Sequence, residues 1–181
     1  MNGDLILSLL GDGFFAAIAA VGFAVISNPP RKAIPISALL AAVGHALRFY
    51  LLHTTGLDIA TASLFAAFIM GLGSMFFAKR IHCPAEVLSI PSLLPMVPGM
   101  YAYKTILALL QFMNSGSNGA RQNELIIDIF QNGLTTLFVM TALVIGVSLP
   151  IFIFHKQSYM MTRLLAPVKP LGKRISRKIR S

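Results

Sequence analysis

Stretches of about 20 apolar residues recur along this chain, each long enough to cross a hydrocarbon core of roughly 30 Å. In lipid every backbone N–H and C=O must find its partner inside the protein, so only helices and closed barrels can span. The period-two alternation of a barrel strand is missing. With 56% hydrophobic residues and a mean hydropathy of +0.75, the chain is also far more apolar than a soluble domain. The sequence predicts an all-α, polytopic membrane protein.

Five spans can be read, over about residues 5–26, 34–52, 57–78, 87–113 and 125–154. The first stops at Asn28-Pro29-Pro30-Arg31-Lys32 and the second at His53-Thr54-Thr55-Gly56. Residues 1–154 make one transmembrane domain and residues 155–181 a basic tail. Met1-Asn2-Gly3-Asp4 lacks the basic stretch that opens a removable signal peptide, so none is expected. Arg31 and Lys32 follow the first span, Lys79 and Arg80 the third, and the tail the fifth, whereas the opposite loops hold only Arg121. Positive loops stay in the cytoplasm. The N-terminus is therefore expected outside and the C-terminus inside, as an odd number of spans requires.

Most of the net charge of +9 is thus topology. No nucleic-acid partner is expected, because the tail lacks the aromatic residues that stack bases. In the tail, Leu164, Val168, Leu171, Ile175 and Ile179 recur among basic residues at helical spacing, broken early by Pro167 and Pro170. Attachment to anionic lipid suits that pattern, and a plain retention signal explains the charges equally well.

Residues for chemistry are few. Cys83 is the sole cysteine. His82, Cys83 and Glu86 share a loop but are too few for a closed metal site, so neither metal nor cofactor is expected. No nucleophile sits with a base and no glycine loop cradles phosphate, so the chain does not read as an enzyme.

Charge inside the spans is more informative. His45 and Arg48 lie three residues apart on one face of the second span. A charged side chain at that depth faces a cavity or a partner, unless Arg48 snorkels outward and His45 is a packing residue. Ala16, Ala20 and Ala24, and Ser63, Ala67 and Gly71, form faces of small residues that serve close helix packing within the chain or against another subunit. The fourth span contains Pro91, Pro95 and Pro98, which withhold donors from the carbonyls of Val87, Pro91 and Leu94. A helix kinked or unwound between about Ser89 and Pro98 is expected, with a new half-helix from near Gly99. That half-helix aims its free amides into the bilayer and carries Tyr101, Lys104 and Thr105 on its first two turns. Discontinuous helices of this kind line solute sites, although a simple proline kink is the plainer alternative.

Gly44-His45-x-x-Arg48 and the run Pro95, Met96, Pro98, Gly99, Ala102, Tyr103 resemble the threonine/serine exporter family. The likeness is closest to its small split subunit, which pairs with a larger partner as a proposed succinate exporter of the bacterial inner membrane. Asn28-Pro30 and Gly146-x-Ser148-x-Pro150 fit as well, and the resemblance runs from about Leu5 to Phe154. It implies a partner with five further spans and a cytoplasmic N-terminal domain. The tail is longer than the family pattern. The resemblance and the broken helix together nominate His45, Arg48, Pro95, Pro98, Gly99, Tyr101, Tyr103 and Lys104 as solute-binding residues. Asp12, Asp58, Glu124 and Asp128 read as lying near outer span ends, leaving a cationic depth that suits a dianion such as succinate better than threonine or serine. A non-transporting assembly subunit and a homo-oligomeric channel are the other readings.

A reporter fused at Ser181 should read cytoplasmic, and one inserted near Ser117 should read external. The reverse pattern contradicts the orientation.

Overall fold

The computed structural model describes residues 3–114 and 119–154. They form α1 (Gly3–Ser27), α2 (Ala33–Thr54), α3 (Ile59–Ile81), α4 (Glu86–Leu93), a 3₁₀ turn (Leu94–Met96), α5 (Gly99–Asn114) and α6 (Gly119–Ile153), with no strand among the described residues. The basic tail lies outside the described residues.

Helices α1, α2, α3 and α6 are each long and apolar enough to cross a membrane. α4 with its 3₁₀ turn reaches that length only together with α5, and the two are bent by 52°. Both a broken span and a re-entrant loop have this shape. Helix boundaries differ from the sequence reading by up to six residues. α2 runs on through Thr54, where hydroxyls and imidazole turn back on their own helix: Thr54 Oγ1 donates to the Tyr50 carbonyl and Thr55 Oγ1 to Leu51. α3 keeps Lys79 and Arg80 in its last turn, where cations complement the helix dipole. α6 starts six residues earlier than expected, at Gly119 rather than Leu125.

Loop chemistry sets the helix ends. Asn28 follows α1 at φ 48°, a left-handed conformation that asparagine tolerates better than most residues, and its amide donates to the Val25 carbonyl at 3.1 Å. Asp58 caps α3 by accepting from the amides of Ala60 and Thr61 at 3.1 and 3.2 Å. Bonds from the Thr61 hydroxyl and these amides hold the Asp58 carboxyl below the usual range.

The core is assembled from small residues. Ala16, Ala20 and Ala24 are buried on α1, which packs mainly on α2. Ser63, Ala67 and Gly71 are buried on α3 and serve packing within the chain, since α3 lies against α6. A Cβ on Gly146 would stand 2.6 Å from the Leu64 carbonyl oxygen, and one on Gly71 would stand 2.9 Å from that of Val147. Backbone-to-backbone approach of this kind is how helices associate without a hydrophobic driving force. One apolar cluster joins Ala66, Ala67 and Met70 of α3, Val139 and Leu143 of α6, and Met96 of the 3₁₀ turn. Met70 is the midpoint of Ile59–Ile81, so the break between α4 and α5 is packed at the level of the middle of α3.

Replacing Gly146 with leucine should lower thermal stability in detergent by about 1–3 kcal/mol or more, because the obstructing Leu64 oxygen is backbone. Gly11→Ala, where a Cβ meets nothing within 4 Å, should change little. Equal effects at the two positions would contradict the packing.

Candidate functional site

The proline run does less damage at its start than the sequence suggests and more at its end. Pro91 sits inside α4, so unwinding begins at Leu94 and not near Ser89. Serine hydroxyls serve this stretch: Ser37 of α2 donates to the Leu88 carbonyl at 3.1 Å, and Ser92 donates to Leu88 and Ser89 at 3.0 and 2.9 Å. Neighbouring hydroxyls are a known means of accommodating proline in a membrane helix.

From Leu94 onward, three carbonyls are bonded by amides of the segment itself. Leu94 accepts from the Val97 amide at 3.2 Å, Val97 from Gly99 at 2.8 Å, and Pro98 from Ala102 at 3.2 Å, which starts α5. Met96 receives its bond from outside the segment: Arg48 Nη1 donates to its carbonyl oxygen at 3.0 Å. Arg48 is therefore not a side chain reaching outward for water. Partly buried, it closes the backbone of the broken helix with one donor and carries further guanidinium N–H groups beside the break. Asp12 and Tyr101 lie close enough to interact with its charge.

The expectation that no carboxylate lies deep is corrected at Asp12. It is three residues from the midpoint of Gly3–Ser27, and its Oδ2 lies 2.9 Å from Nδ1 of buried His45. His45 Nε2 is buried with no hydrogen-bond partner. Sequence position contains the signal that finds this pair. Asp12 lies 15 residues before the end of α1 and His45 lies 12 after the start of α2, so an antiparallel hairpin brings them to similar depth. Gly44, beside His45, is a packing residue: a Cβ there would overlap the Met70 thioether.

The same arithmetic applies to Lys104. It is 10 residues before the end of α5, and Asp128 is 9 after the start of α6. Both line a cavity of about 460 Å³ between those helices, together with Tyr101, Gln111, Gln131 and Asn132. Tyr101 thus connects the Arg48 cluster with the Lys104 cleft.

The remaining nominated residues divide. Pro98 is buried and ends the break, Pro95 is half-buried in the 3₁₀ turn, and Gly99 is exposed at the α5 start with open space where a Cβ would stand. Tyr103 is 59% exposed and joins neither group. No group of three or more His, Cys, Asp or Glu among the described residues is placed to hold a metal. Cys83 is buried, and burial together with the nearby Glu86 carboxylate pushes its thiol up, away from the thiolate a metal needs.

Residues 12–153 match the family model described as Threonine/Serine exporter, ThrE. An uncharacterized protein of Haemophilus influenzae is 35% identical over 151 residues, covering 83% of this chain and 49% of that protein. The chain spans about half the length of that relative. No solved structure matches it. The matched residues take in Asp12, the α2 cations, the break and α6, and on that match the chain belongs to the threonine/serine exporter family.

Proposed function

We propose that this chain is one half of a bacterial inner-membrane exporter of small carboxylates, working with a larger homologous partner. The observation that carries the reading is the Arg48 bond to the Met96 carbonyl at the interruption before α5. An arginine that closes a helix break at mid-depth brings its other donors to the place where α5 presents its first amides. Cation and helix start together suit a carboxylate. The open space in front of Gly99 leaves room for it. On this reading α4, the 3₁₀ turn and α5 make one broken span, and the basic loops lie in the cytoplasm.

A partner is proposed because half-length matching leaves a relative with as much chain again, and because transporters commonly build a midplane site between two related halves. The outward apolar side chains of α5, including Met100, Ile106 and Leu110, offer it a face. Succinate is the solute assigned first, with Arg48 and Lys104 as cations for its two carboxylates. Threonine or serine is the second reading, and one observation favours it. Asp128 lines the cleft that holds Lys104, which suits a solute carrying an ammonium as well as a carboxylate.

Labelled succinate and threonine should leave cells only when this chain and its partner are both made. Arg48→Ala and Lys104→Ala should each weaken apparent affinity about tenfold or more, since a charge-assisted contact contributes about 1.5–3 kcal/mol. Arg48→Lys should recover part of this, because it keeps the charge and loses the fork. Pro98→Ala should also impair export by letting the helix continue, while Arg121→Ala in a loop should be nearly silent. If Arg121→Ala is as damaging as Arg48→Ala, the site is misplaced. Asp128→Asn separates the solutes: selective loss of threonine export supports the second reading, and undiminished export of both excludes it.

A further inference from the structure

One stripe of α6 faces open space. Asp128, Gln131, Thr135, Phe138, Ala142 and Ile145 recur at alternating intervals of three and four residues, the spacing of a seam that packs knobs-into-holes on a neighbouring helix. Each of the six lines a cavity. The first two border the cleft of about 460 Å³ walled by α5, and the other four a groove of about 510 Å³ walled by the start of α3. The helix meets its neighbours on other sides, where Gly133 faces Thr105 of α5 and Gly146 faces the Leu64 carbonyl of α3. At 1.5 Å per residue the seam is about 25 Å long, most of a hydrocarbon core of roughly 30 Å. Large and small side chains alternate along its second half. Phe138 and Ile145 are 58% and 46% exposed, and Thr135 and Ala142 leave the hollows between them.

The lining decides what can cover this stripe. At the α5 end Asp128 and Gln131 stand with Lys104 and Gln111 around one cleft, and Lys104 and Asp128 form no ion pair with each other among the described residues. At the α3 end the large side chains are apolar: Leu64, Leu134, Phe138 and Ile145. Lipid chains satisfy the second half and leave the charged half bare, which is costly in a bilayer. Water does the reverse. The contrast is α1, whose large exposed side chains, Leu7, Phe14, Phe15 and Ile18 among them, are apolar and suit lipid alone. A helix with polar side chains at one end and apolar ones along the rest suits both halves of the seam.

We propose that this seam is the docking site for one transmembrane helix of the homologous partner half, and that the docked helix closes the open side of the Lys104–Asp128 cleft. The proposal rests on the exporter reading for the existence of a partner, and goes beyond it in fixing where the partner sits. A seam of alternating threes and fours packs a second helix at a crossing angle of about +20°. Phe138 and Ile145 then enter hollows on the partner helix, and its own side chains enter those at Thr135 and Ala142. At the polar end the partner helix supplies hydrogen-bond donors to Asp128 and Gln131, since a carboxylate only accepts. The cleft becomes a site shared by two chains. A solute between Lys104 and Asp128 is screened from lipid only when the partner is in place, so neither half alone has a closed cleft.

The test is photo-crosslinking in membranes of cells making the full chain with a tagged homologous partner. The photoreactive residue p-benzoylphenylalanine is placed at Phe138 of the seam or at Phe15 of α1, both exposed phenylalanines, so each replacement keeps the ring and disturbs the fold little. Position 138 should give an adduct that carries both chains, and position 15 should give none. A second measurement reads the strength of docking. Phe138→Ala combined with Ile145→Ala should reduce the partner retained in mild detergent about tenfold, and Phe15→Ala combined with Ile18→Ala should leave it unchanged. Three results overturn the proposal: equal adducts from positions 138 and 15, modification of lipid alone from position 138, or an adduct near twice 19.6 kDa, which is two copies of this chain. The two readings fail separately. If position 138 captures the partner and the cells export neither succinate nor threonine, the exporter reading falls and the docking site stands. Export without a partner adduct from position 138 overturns the docking site and leaves the exporter reading.

Discussion

The contact on which the arrangement depends is the hydrogen bond from Arg48 to the Met96 carbonyl. A backbone carbonyl inside a membrane cannot turn to water, and leaving it bare costs several kcal/mol. The chain interrupts its helix at that place and then supplies the missing donor from α2. The cost of partly burying a guanidinium and the cost of leaving that carbonyl bare are offset against each other. Met96 itself is fully buried between α3 and α6, so the break is clamped by packing on one side and by charge on the other.

Charges of opposite sign brought together by helix hairpins are the second theme. The α1–α2 hairpin sets Asp12 against His45, and the α5–α6 hairpin sets Asp128 in the cleft with Lys104. The interior is therefore not the purely cationic lining that span-by-span reading gives. Charges of both signs near a proposed solute path make solute choice a question of which pairs open on binding, and this is why Asp128 separates the two candidate solutes.

The spans were legible because twenty-residue apolar runs leave a chain in lipid almost no alternative to helices. A helix start just after Pro98 was legible because proline lacks a donor that the first turn does not need. Other features were hidden because they depend on neighbours. Pro91 stays inside α4, and the Ser37 hydroxyl of α2 that bonds the neighbouring Leu88 carbonyl is announced by nothing within residues 86–93. Asp12 looked peripheral when counted from its own helix end, and became a His45 partner only when the two helices were folded on each other. Gly71 reads as a small residue suited to either kind of interface, and the close approach of α3 to α2 and α6 assigns it, together with Gly44 and Gly146 of the family motifs, to packing within the chain.

On the proposed function the start of α5 is a wet, solute-facing element, and Cys83 being the sole cysteine makes this directly measurable. In a Cys83→Ser background, single cysteines at Gly99 and at Ile106, both exposed in the isolated chain, would be treated with a membrane-impermeant thiol reagent in cells making the chain with its partner. The cysteine at position 99 should be labelled, transported solute should slow the labelling, and the cysteine at position 106, facing lipid or partner, should stay unlabelled. Labelling at position 106 with none at position 99 would contradict it.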